Sequence, residues 1–333
     1  MATAKKHGNQ YRVIAYLGMI DGKKQYKSFS APTKAEAERK AAEYKQKHKS
    51  TKALTDTFAE YAMASNNAKT NILSPSTIRK YNTMVRTLDQ KYRWFASKPI
   101  GKITEHDVQV LVNELSAVNA PKTVRSYYGY INSFLSFEGI NLPRIEANSV
   151  DIPTKEEVER IKSITKDTCM YIPVLLASEC MMRRGEICAL AMSDIDFGNH
   201  TITINKNMVM DANSKWIIKA PKTVYSTRTI KAPEYILDLI WQQGYVTKCN
   251  PNKITGYFAK YCERAKVPPY RFHALRHYCA SVFHYLNIPM GYTQEYGGWG
   301  KDGETLQKIY QHTLRDESDD VYGKAINYFS QGY

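Results

Sequence analysis

Residues 271–312 read RFHALRHYCASVFHYLNIPMGYTQEYGGWGKDGETLQKIYQH, a stretch rich in cations, histidines and tyrosines. Its spacing predicts a helix over 273–287 that carries His273, Arg276 and His277, and the stretch later reaches Tyr310. Guanidinium groups neutralise a phosphate, and a phenol can attack one as a nucleophile. The stretch therefore indicates one part of a site for phosphodiester chemistry, which needs further cations and a proton donor from elsewhere in the chain.

The length and the charge set the first limits on the class of protein. At 333 residues the chain is longer than most single domains, so two or three domains are expected. Its net charge is +15, and residues 1–50 hold 12 lysines and arginines against 4 acidic residues. A basic excess favours a polyanionic partner, because each neutralised phosphate releases counterions. The alternative from charge alone is a basic surface that only keeps the protein dissolved.

The cysteines and the apolar runs indicate a cytoplasmic protein without a membrane partner. The six cysteines form no CxxC pair and lie mostly among apolar neighbours, as reduced thiols of a cytosolic protein do. No apolar run approaches the roughly 18 residues of a membrane span. Lys5 and Lys6 are not followed by an apolar segment, so no signal peptide is expected.

Residues 1–50 predict a small β-hairpin followed by a helix. Two β-rich runs flank Asp21-Gly22, which is a strong hairpin signal. Thr33, with Glu36 three residues later, forms a capping box at the start of a run with high helix propensity. This basic module with interleaved tyrosines fits a domain that lays a sheet against a DNA duplex, and an inert cap is the alternative. The expected DNA contacts of the module are Arg12, Lys23, Lys24 and Lys27.

Residues 51–145 predict an all-α bundle. Ser74 caps one helix and Thr104, with Asp107, begins another, and apolar residues recur at helical spacing through both. Lys122 and Arg125 lie on the outward face of the last helix, where they are expected to contact the DNA backbone. The prolines in residues 142–153 then indicate an interdomain linker.

Residues 150–333 predict a mainly α-helical domain with a small antiparallel sheet of three short strands between 200 and 231. Arg183-Arg184-Gly185-Glu186 interrupts an apolar helical stretch, where a buried guanidinium is costly unless it is paired. Lys219 and Lys222 lie at or near the last turn of the sheet. This domain therefore has the additional cations that the stretch 271–312 requires.

Five motifs in order give the chain a resemblance to a known family. They are Arg183-Arg184-Gly185-Glu186, Pro221-Lys222-Thr223, His273-Ala274-Leu275-Arg276-His277, Gly298-Trp299 and Tyr310-Gln311-His312. In this order and approximate spacing they resemble the tyrosine recombinase, or phage integrase, family. The resemblance implies an integrase-like DNA breaking-rejoining fold with three domains: an arm-type DNA-binding domain at 1–50, a helical core-binding (SAM-like) domain at 51–145 and a catalytic domain at 150–333.

The resemblance also implies a role for each motif residue. Arg183 and Arg276 match the arginines that hold the scissile phosphate, and His273 matches a histidine within reach of the phosphate or the attacking phenol. Lys222 matches the lysine that protonates the departing 5′ oxygen, with Lys219 as the alternative. Trp299 stands where most members carry a second histidine, and Tyr310 matches the nucleophile.

The implied activity is site-specific DNA recombination through a 3′-phosphotyrosyl intermediate, without metal, ATP or another cofactor. The implied partners are double-stranded DNA attachment sites, three further copies of the chain in a tetramer, and DNA-bending and excisionase accessory proteins. The arm domain favours integration and excision of a phage or conjugative element inside a bacterial host.

Three alternatives stay open at the level of sequence. A type IB topoisomerase shares the chemistry but rejoins the same strand. A DNA-binding regulator without catalysis is disfavoured by the intact set of motif residues, and a metal-dependent nuclease by the lack of clustered carboxylates. His273 and His277 are four apart on a helix, but Ala-Leu-Arg separates them and no metal site is expected.

Overall fold

The structure is a computed structural model that describes residues 4–8, 10–20, 23–47, 55–145, 151–221, 224–300, 306, 307 and 309. The chain divides into two compact units, residues 1–73 with 80–145 and residues 74–79 with 146–333. Within the described ranges, no helix combines the length and the apolar character needed to cross a membrane.

The chain begins with a three-stranded antiparallel sheet and one helix. The sheet order is β1 (Lys5–His7), β2 (Gln10–Ile20) and β3 (Lys23–Ala31), and α1 (Lys34–Lys47) follows. The predicted hairpin and helix are present, β1 was not predicted, and the Asp21-Gly22 turn lies outside the described residues. Oγ1 of Thr33 accepts a hydrogen bond from the backbone N of Glu36, as the capping box requires. A small core of Val13, Ala31, Ala37 and Ala41 joins helix and sheet.

A helical bundle follows, and its helices begin where the capping residues predict. The helices are α2 (Phe58–Ala68), α3 (Pro75–Lys91), the short α4 (Arg93–Ala96), α5 (Glu105–Val118) and α6 (Pro121–Leu135). Thr104 and Asp107 form a reciprocal capping box, and the Oγ of Ser74 accepts from the backbone N of Thr77 at 3.3 Å. The centre of this core is fully buried and consists largely of Phe58, Leu88, Phe95, Leu111, Leu115 and Ile131.

The second unit is mainly helical. Its helices are α7 (Lys155–Thr165), α8 (Tyr171–Ser178), α9 (Arg184–Ala189), α10 (Glu234–Gln243), α11 (Pro251–Arg264), α12 (His273–Tyr285) and α13 (Met290–Gly297). The predicted apolar helix over 171–190 is broken before Arg183, which is the N-cap of α9. Almost every residue of α8 is buried in the main core. Because this helix ends before Arg183, the first residues of α9 lie at the edge of that core.

The prediction of a single three-stranded sheet between 200 and 231 is wrong. The described strands form two sheets: β4 (Ile195–Asp196), β5 (Thr201–Ile204) and β8 (Arg228–Lys231) in one, and β6 (Asn207–Met210) with β7 (Trp216–Lys219) in the other. Asn205 and Lys206 interrupt the β-rich run of residues 200–210, which would otherwise make one strand. Nζ of Lys206 binds a carboxylate oxygen of Asp194 at 2.7 Å. The ion pair holds the chain at the point where it leaves the first sheet for the second.

Candidate active site

Arg183 lies at the N-terminus of α9 and is held by the carboxylate one turn later. Its backbone N donates to Oε2 of Glu186 at 2.8 Å, and its Nη1 donates to Oε1 at 2.8 Å. Its Nη2 donates to the carbonyl of Gly298 at 2.7 Å. The side chain keeps 31% of its surface exposed, so one side of the guanidinium is fixed and the other faces solvent.

Glu186 is buried between two arginines. Arg228 on β8 donates from Nη2 to Oε2 at 3.0 Å and from Nη1 to Oε1 at 3.2 Å. Burial alone would raise the pKa of Glu186, but Arg228 first and Arg183 second, through charge and hydrogen bonds, outweigh it, so the pKa lies below its ordinary value. The carboxylate is therefore ionised at neutral pH and holds both guanidinium groups.

Arg276 is the largest fully buried side chain among the described residues, with 1% of its surface exposed. Its Nη1 donates to the carbonyl of Met181, and its Nη2 donates to the carbonyl of Gly297 at 2.6 Å. Its Cζ lies 3.7 Å from the centroid of the Trp299 ring. Among the described residues, its Nε has no hydrogen-bond partner. Burial lowers the pKa of Arg276, yet a guanidinium titrates so high that it keeps its charge at neutral pH.

His273 begins α12 one turn before Arg276, and its ring lies 4.6 Å from that of His277. Desolvation of the ring, then His277 and the charges of Arg276 and Arg183, lower the pKa of His273, although the residue as a whole is exposed to solvent. Burial, and then the charge of Arg276, lowers the pKa of His277 to about 4. Both imidazoles are therefore neutral at physiological pH, when a ring nitrogen can accept a hydrogen bond or a proton.

The glycine turn, residues 296–299, closes the site. Gly298 has φ +67° and ends α13 in the left-handed conformation, which favours glycine. A Cβ at Gly297 would lie 1.9 Å from Cζ3 of Trp299, and one at Gly298 would lie 2.9 Å from Nη1 of Arg228. The two glycines therefore allow the tryptophan ring and an arginine to approach the backbone closely.

The structure brings together four of the six predicted catalytic residues, Arg183, His273, Arg276 and Trp299. Lys222 and Tyr310 lie outside the described residues. Lys219 is the last residue of β7. Leu306 and Ile309, which precede Tyr310 in the sequence, are fully buried in a cluster with Met181, Cys279 and Ala280 beside Arg276.

The predicted DNA contacts lie on exposed surfaces where their side chains are described. Arg12 donates to Oγ of Ser28 at 3.1 Å, and Nζ of Lys27 lies 4.2 Å from the centroid of the Tyr44 ring. The side chains of Lys23 and Lys24 lie outside the described part of the chain. On α6, Lys122 is exposed, and Nε of Arg125 donates to the carbonyl of Pro143 at 2.9 Å.

Sequence reasoning missed Arg228. The residue alternates with Thr229 on β8, so it shares the buried face of the strand with Ile230. A charged residue on the buried face of a strand needs a partner of opposite charge. This rule predicts that Arg228 pairs with a buried carboxylate. No close group of three or more histidines, cysteines and carboxylates that could hold a metal ion occurs in the described part of the chain.

Comparisons with known proteins identify a family for the chain. The phage integrase family model matches residues 153–317. A tyrosine recombinase XerC-like protein of Caldanaerobacter subterraneus subsp. tengcongensis is 23% identical over 371 aligned residues, which cover 93% of this chain and 94% of the relative.

Solved structures show the same fold at low identity. The Tn1549 transposon integrase in complex with transposon right end DNA has a TM-score of 0.65 and 15% identity, and the match covers 80% of this chain and 99% of that one. A lambda integrase tetramer bound to a Holliday junction has a TM-score of 0.56 and 13% identity, covering 90% of this chain and 92% of that one. The architecture is thus that of the integrase fold, helical with small antiparallel sheets.

Proposed function

The chain belongs to the phage integrase family of tyrosine recombinases, and we propose that it is a site-specific DNA recombinase of a mobile element. It cleaves and rejoins DNA strands as a strand transferase that uses neither metal nor ATP. The observation that carries the proposal is the convergence of Arg183, His273, Arg276 and Trp299 beside the segment that leads to Tyr310. These four residues come from three separate elements, so their proximity is a property of the fold and not of local sequence.

Arg183 and Arg276 bind the scissile phosphate. Each guanidinium carries five N–H donors, and the backbone and Glu186 occupy only two donors of each side chain. The remaining donors can form charge-assisted hydrogen bonds to phosphate oxygens and stabilise the charge that develops in the transition state. Nε of Arg276 is buried and has no hydrogen-bond partner among the described residues. Its N–H can therefore donate to such a phosphate oxygen.

Tyr310 attacks the phosphorus and forms a 3′-phosphotyrosyl bond, while the departing 5′ oxygen takes a proton from Lys222. The neutral ring of His273 accepts a hydrogen bond from the attacking phenol, orients it and takes its proton as the O–P bond forms. Both proton transfers reverse when the strands are rejoined. A 5′ hydroxyl of a second duplex then attacks the phosphotyrosyl bond and rejoins the strands. The covalent intermediate conserves the energy of the phosphodiester, so no nucleotide is consumed.

The rest of the chain holds the DNA. Residues 1–50 form the arm-type domain, residues 51–145 the core-binding domain and residues 150–333 the catalytic domain. Arg12, Lys23, Lys24 and Lys27 contact arm-site DNA, and Lys122 and Arg125 contact the backbone at the core site, which positions the protein without specifying sequence.

The assembly follows from the reaction. Two duplexes exchanging strands present four cleavage sites, so four protomers act on attachment sites, with DNA-bending and excisionase proteins as accessory partners. The tetramer that supports this proposal is that of lambda integrase on a Holliday junction. The reaction integrates and excises a phage or conjugative element in the cytoplasm of a bacterial host.

A covalent-trapping experiment tests the proposal. A pool of nicked duplexes with a randomised core is incubated with wild type, with Tyr310→Phe and with Tyr292→Phe, which changes a tyrosine whose side chain is 67% exposed. Wild type and Tyr292→Phe should form a protein–DNA adduct that survives denaturation, and Tyr310→Phe should not. An adduct with Tyr310→Phe would overturn the nucleophile. Adducts that only reseal their own strand, without transfer to a second labelled duplex, would favour a type IB topoisomerase.

A further inference from the structure

Three consecutive carbonyls of the glycine turn each accept a hydrogen bond from a different arginine. The carbonyls are those of residues 296, 297 and 298, and the donors are Arg228 at 2.7 Å, Arg276 at 2.6 Å and Arg183 at 2.7 Å, in that order. The arginines come from β8, α12 and the start of α9. One short piece of backbone thus sets the spacing of three guanidinium groups.

Arg228 differs from the other two because all its nitrogen atoms already have partners. Nε donates to the carbonyl of Tyr296, Nη2 to Glu186, and Nη1 to both Glu186 and the carbonyl of Ser226. Arg228 is therefore not available to a phosphate, and its partners identify it as a support for groups that are.

Those partners are the two supports of Arg183. The Glu186 carboxylate receives Arg183 on both oxygens, at 2.8 Å each, and the same two oxygens receive Arg228. Arg228 also donates to the first carbonyl of the glycine turn, that of Tyr296. The carbonyl of Gly298, in the same turn, accepts the remaining hydrogen bond of Arg183. Without Arg228 the carboxylate would be a buried charge with half of its partners gone, which is strongly unfavourable.

We propose that Arg228 is a positioning residue of this site, which fixes Glu186 and the glycine turn so that Arg183 and Arg276 stand at the spacing of one phosphate. This role rests on the proposed recombinase function. Arg228 acts on catalysis through Arg183 and Arg276 and never touches DNA.

The role predicts a specific pattern for Arg228→Met, which keeps an unbranched stem and removes the charge. The rate of covalent adduct formation on saturating nicked duplex should fall by about tenfold to a hundredfold, as expected for a displacement of about 1 Å at the reacting groups. The Kd for the duplex should change by less than about threefold, because most of the DNA contact is elsewhere. Arg160→Met, at an exposed arginine on α7, is the matched control and should behave as wild type.

A pH profile separates positioning from loss of fold. Within the described residues, Arg228, Arg183, Arg276 and His273 face Glu186, and the ion pair of Asp194 and Lys206 lines a small cavity with it. Losing Arg228 removes the largest compensating charge, so the carboxylate should protonate at a higher pH and release Arg183. As the pH is lowered, the cleavage rate of Arg228→Met should therefore begin to fall at a higher pH than that of wild type. This fall is the acid limb of the pH profile. Simple destabilisation would lower the rate at every pH and leave the limb in place.

Arg228→Lys covers the case in which Arg228→Met does not fold. A lysine keeps the charge beside Glu186 but cannot reach both carboxylate oxygens and the Tyr296 carbonyl together. It should fold, bind the duplex and cleave at least about threefold more slowly than wild type, an intermediate loss expected when one of several fixed contacts is kept. Cleavage at the wild-type rate by either substituted protein, or an unmoved acid limb in a folded Arg228→Met, would overturn the positioning role. No adduct with wild type would instead overturn the proposed function, and the role of Arg228 with it.

Discussion

The guanidinium carbon of Arg276 lies 3.7 Å from the centroid of the Trp299 ring. The indole covers a cation that has only 1% of its surface exposed, while the carbonyls of Met181 and Gly297 bind its two terminal nitrogens. The negative face of an aromatic ring attracts a cation, and tryptophan does so most strongly. Trp299 therefore replaces water on the arginine, which is a different task from the proton transfer that a histidine could perform at this position.

Substitution of Trp299 separates stacking from hydrogen bonding. Trp299→Phe keeps an aromatic face but loses the indole N–H, whereas Trp299→Ala loses both. If stacking is the main role, the Phe variant should form covalent adduct within about threefold of wild type and the Ala variant should fall by about tenfold, since a desolvated cation–π contact contributes up to about 2 kcal/mol. Equal loss in both variants would mean that the N–H, and not the ring face, matters.

Gly297→Ala should disrupt the same contact from the backbone side. The added Cβ would lie 1.9 Å from Cζ3 of Trp299, so the ring must leave its place above Arg276. Overpacking of this kind typically costs about 1–3 kcal/mol, and both the Tm and the adduct yield should fall.

Gly291→Ala is the matched control for that substitution. It lies on the same helix, and an added Cβ there has no neighbour within 4 Å. The Tm of Gly291→Ala should be unchanged or higher, because alanine is favoured over glycine in a helix by about 1 kcal/mol. Equal effects of the two substitutions would show that the α13 helix, and not the position of the Trp299 ring, limits the activity.

His277 should make the second unit, residues 74–79 with 146–333, less stable in acid. Its pKa in the folded protein is lowered to about 4, whereas an unfolded chain has the ordinary value of about 6.5. The unfolded state therefore binds the proton first, and stability is lost as pH falls from about 6.5 towards 4. The Tm should decrease through this window, and His277→Asn should make the decrease shallower, although His273 still contributes.

The control is His200→Asn, at a histidine that is 42% exposed and has φ +51°, a conformation that asparagine tolerates. It should keep the wild-type slope of Tm against pH. An identical slope in His277→Asn and wild type would contradict the assignment of His277 as a buried neutral imidazole.

Helix starts were predictable from sequence because their signals are local. Thr33, Ser74 and Thr104 each act on a residue three positions later, and the structure has each of these caps in place. The two sheets between 195 and 231 were not predictable from sequence. The same alternating residues fit one long strand or two short ones, and only the structure shows the interruption at Asn205 and Lys206.

The sequence motifs named candidate site residues, but they did not give the arrangement of those residues in the fold. The motifs located Arg183 and Arg276, whereas the support from Arg228 depends on contacts 42 residues away at Glu186 and 68 residues away at Tyr296. No local pattern encodes such pairs. The one signal is the position of Arg228 on the buried face of β8, which predicts a partner of opposite charge. The spacing of the three arginines is a consequence of backbone carbonyls, which have no signature in sequence.

The segment before Tyr310 is anchored by two apolar side chains. Leu306 and Ile309 are three apart, both fully buried, and pack in one cluster with Met181, Cys279 and Ala280. Met181 has φ +56°, and its carbonyl binds Arg276 while its side chain meets this cluster. The packing of the segment before Tyr310 and the hydrogen bond to Arg276 therefore meet at one residue, Met181.

Leu306→Ala should release this anchor while leaving Tyr310 in the chain. Truncating a buried leucine typically costs about 2–5 kcal/mol, which here acts on the attachment of a short segment and not on the main core. Adduct formation should slow by about tenfold or more, because the phenol is no longer held for attack, and the Kd for the nicked duplex should stay within about threefold of wild type, since the buried side chain faces protein. Gln307→Ala, at the exposed neighbouring position, should cleave as wild type does. Wild-type cleavage by Leu306→Ala would mean that packing at this cluster does not position the nucleophile.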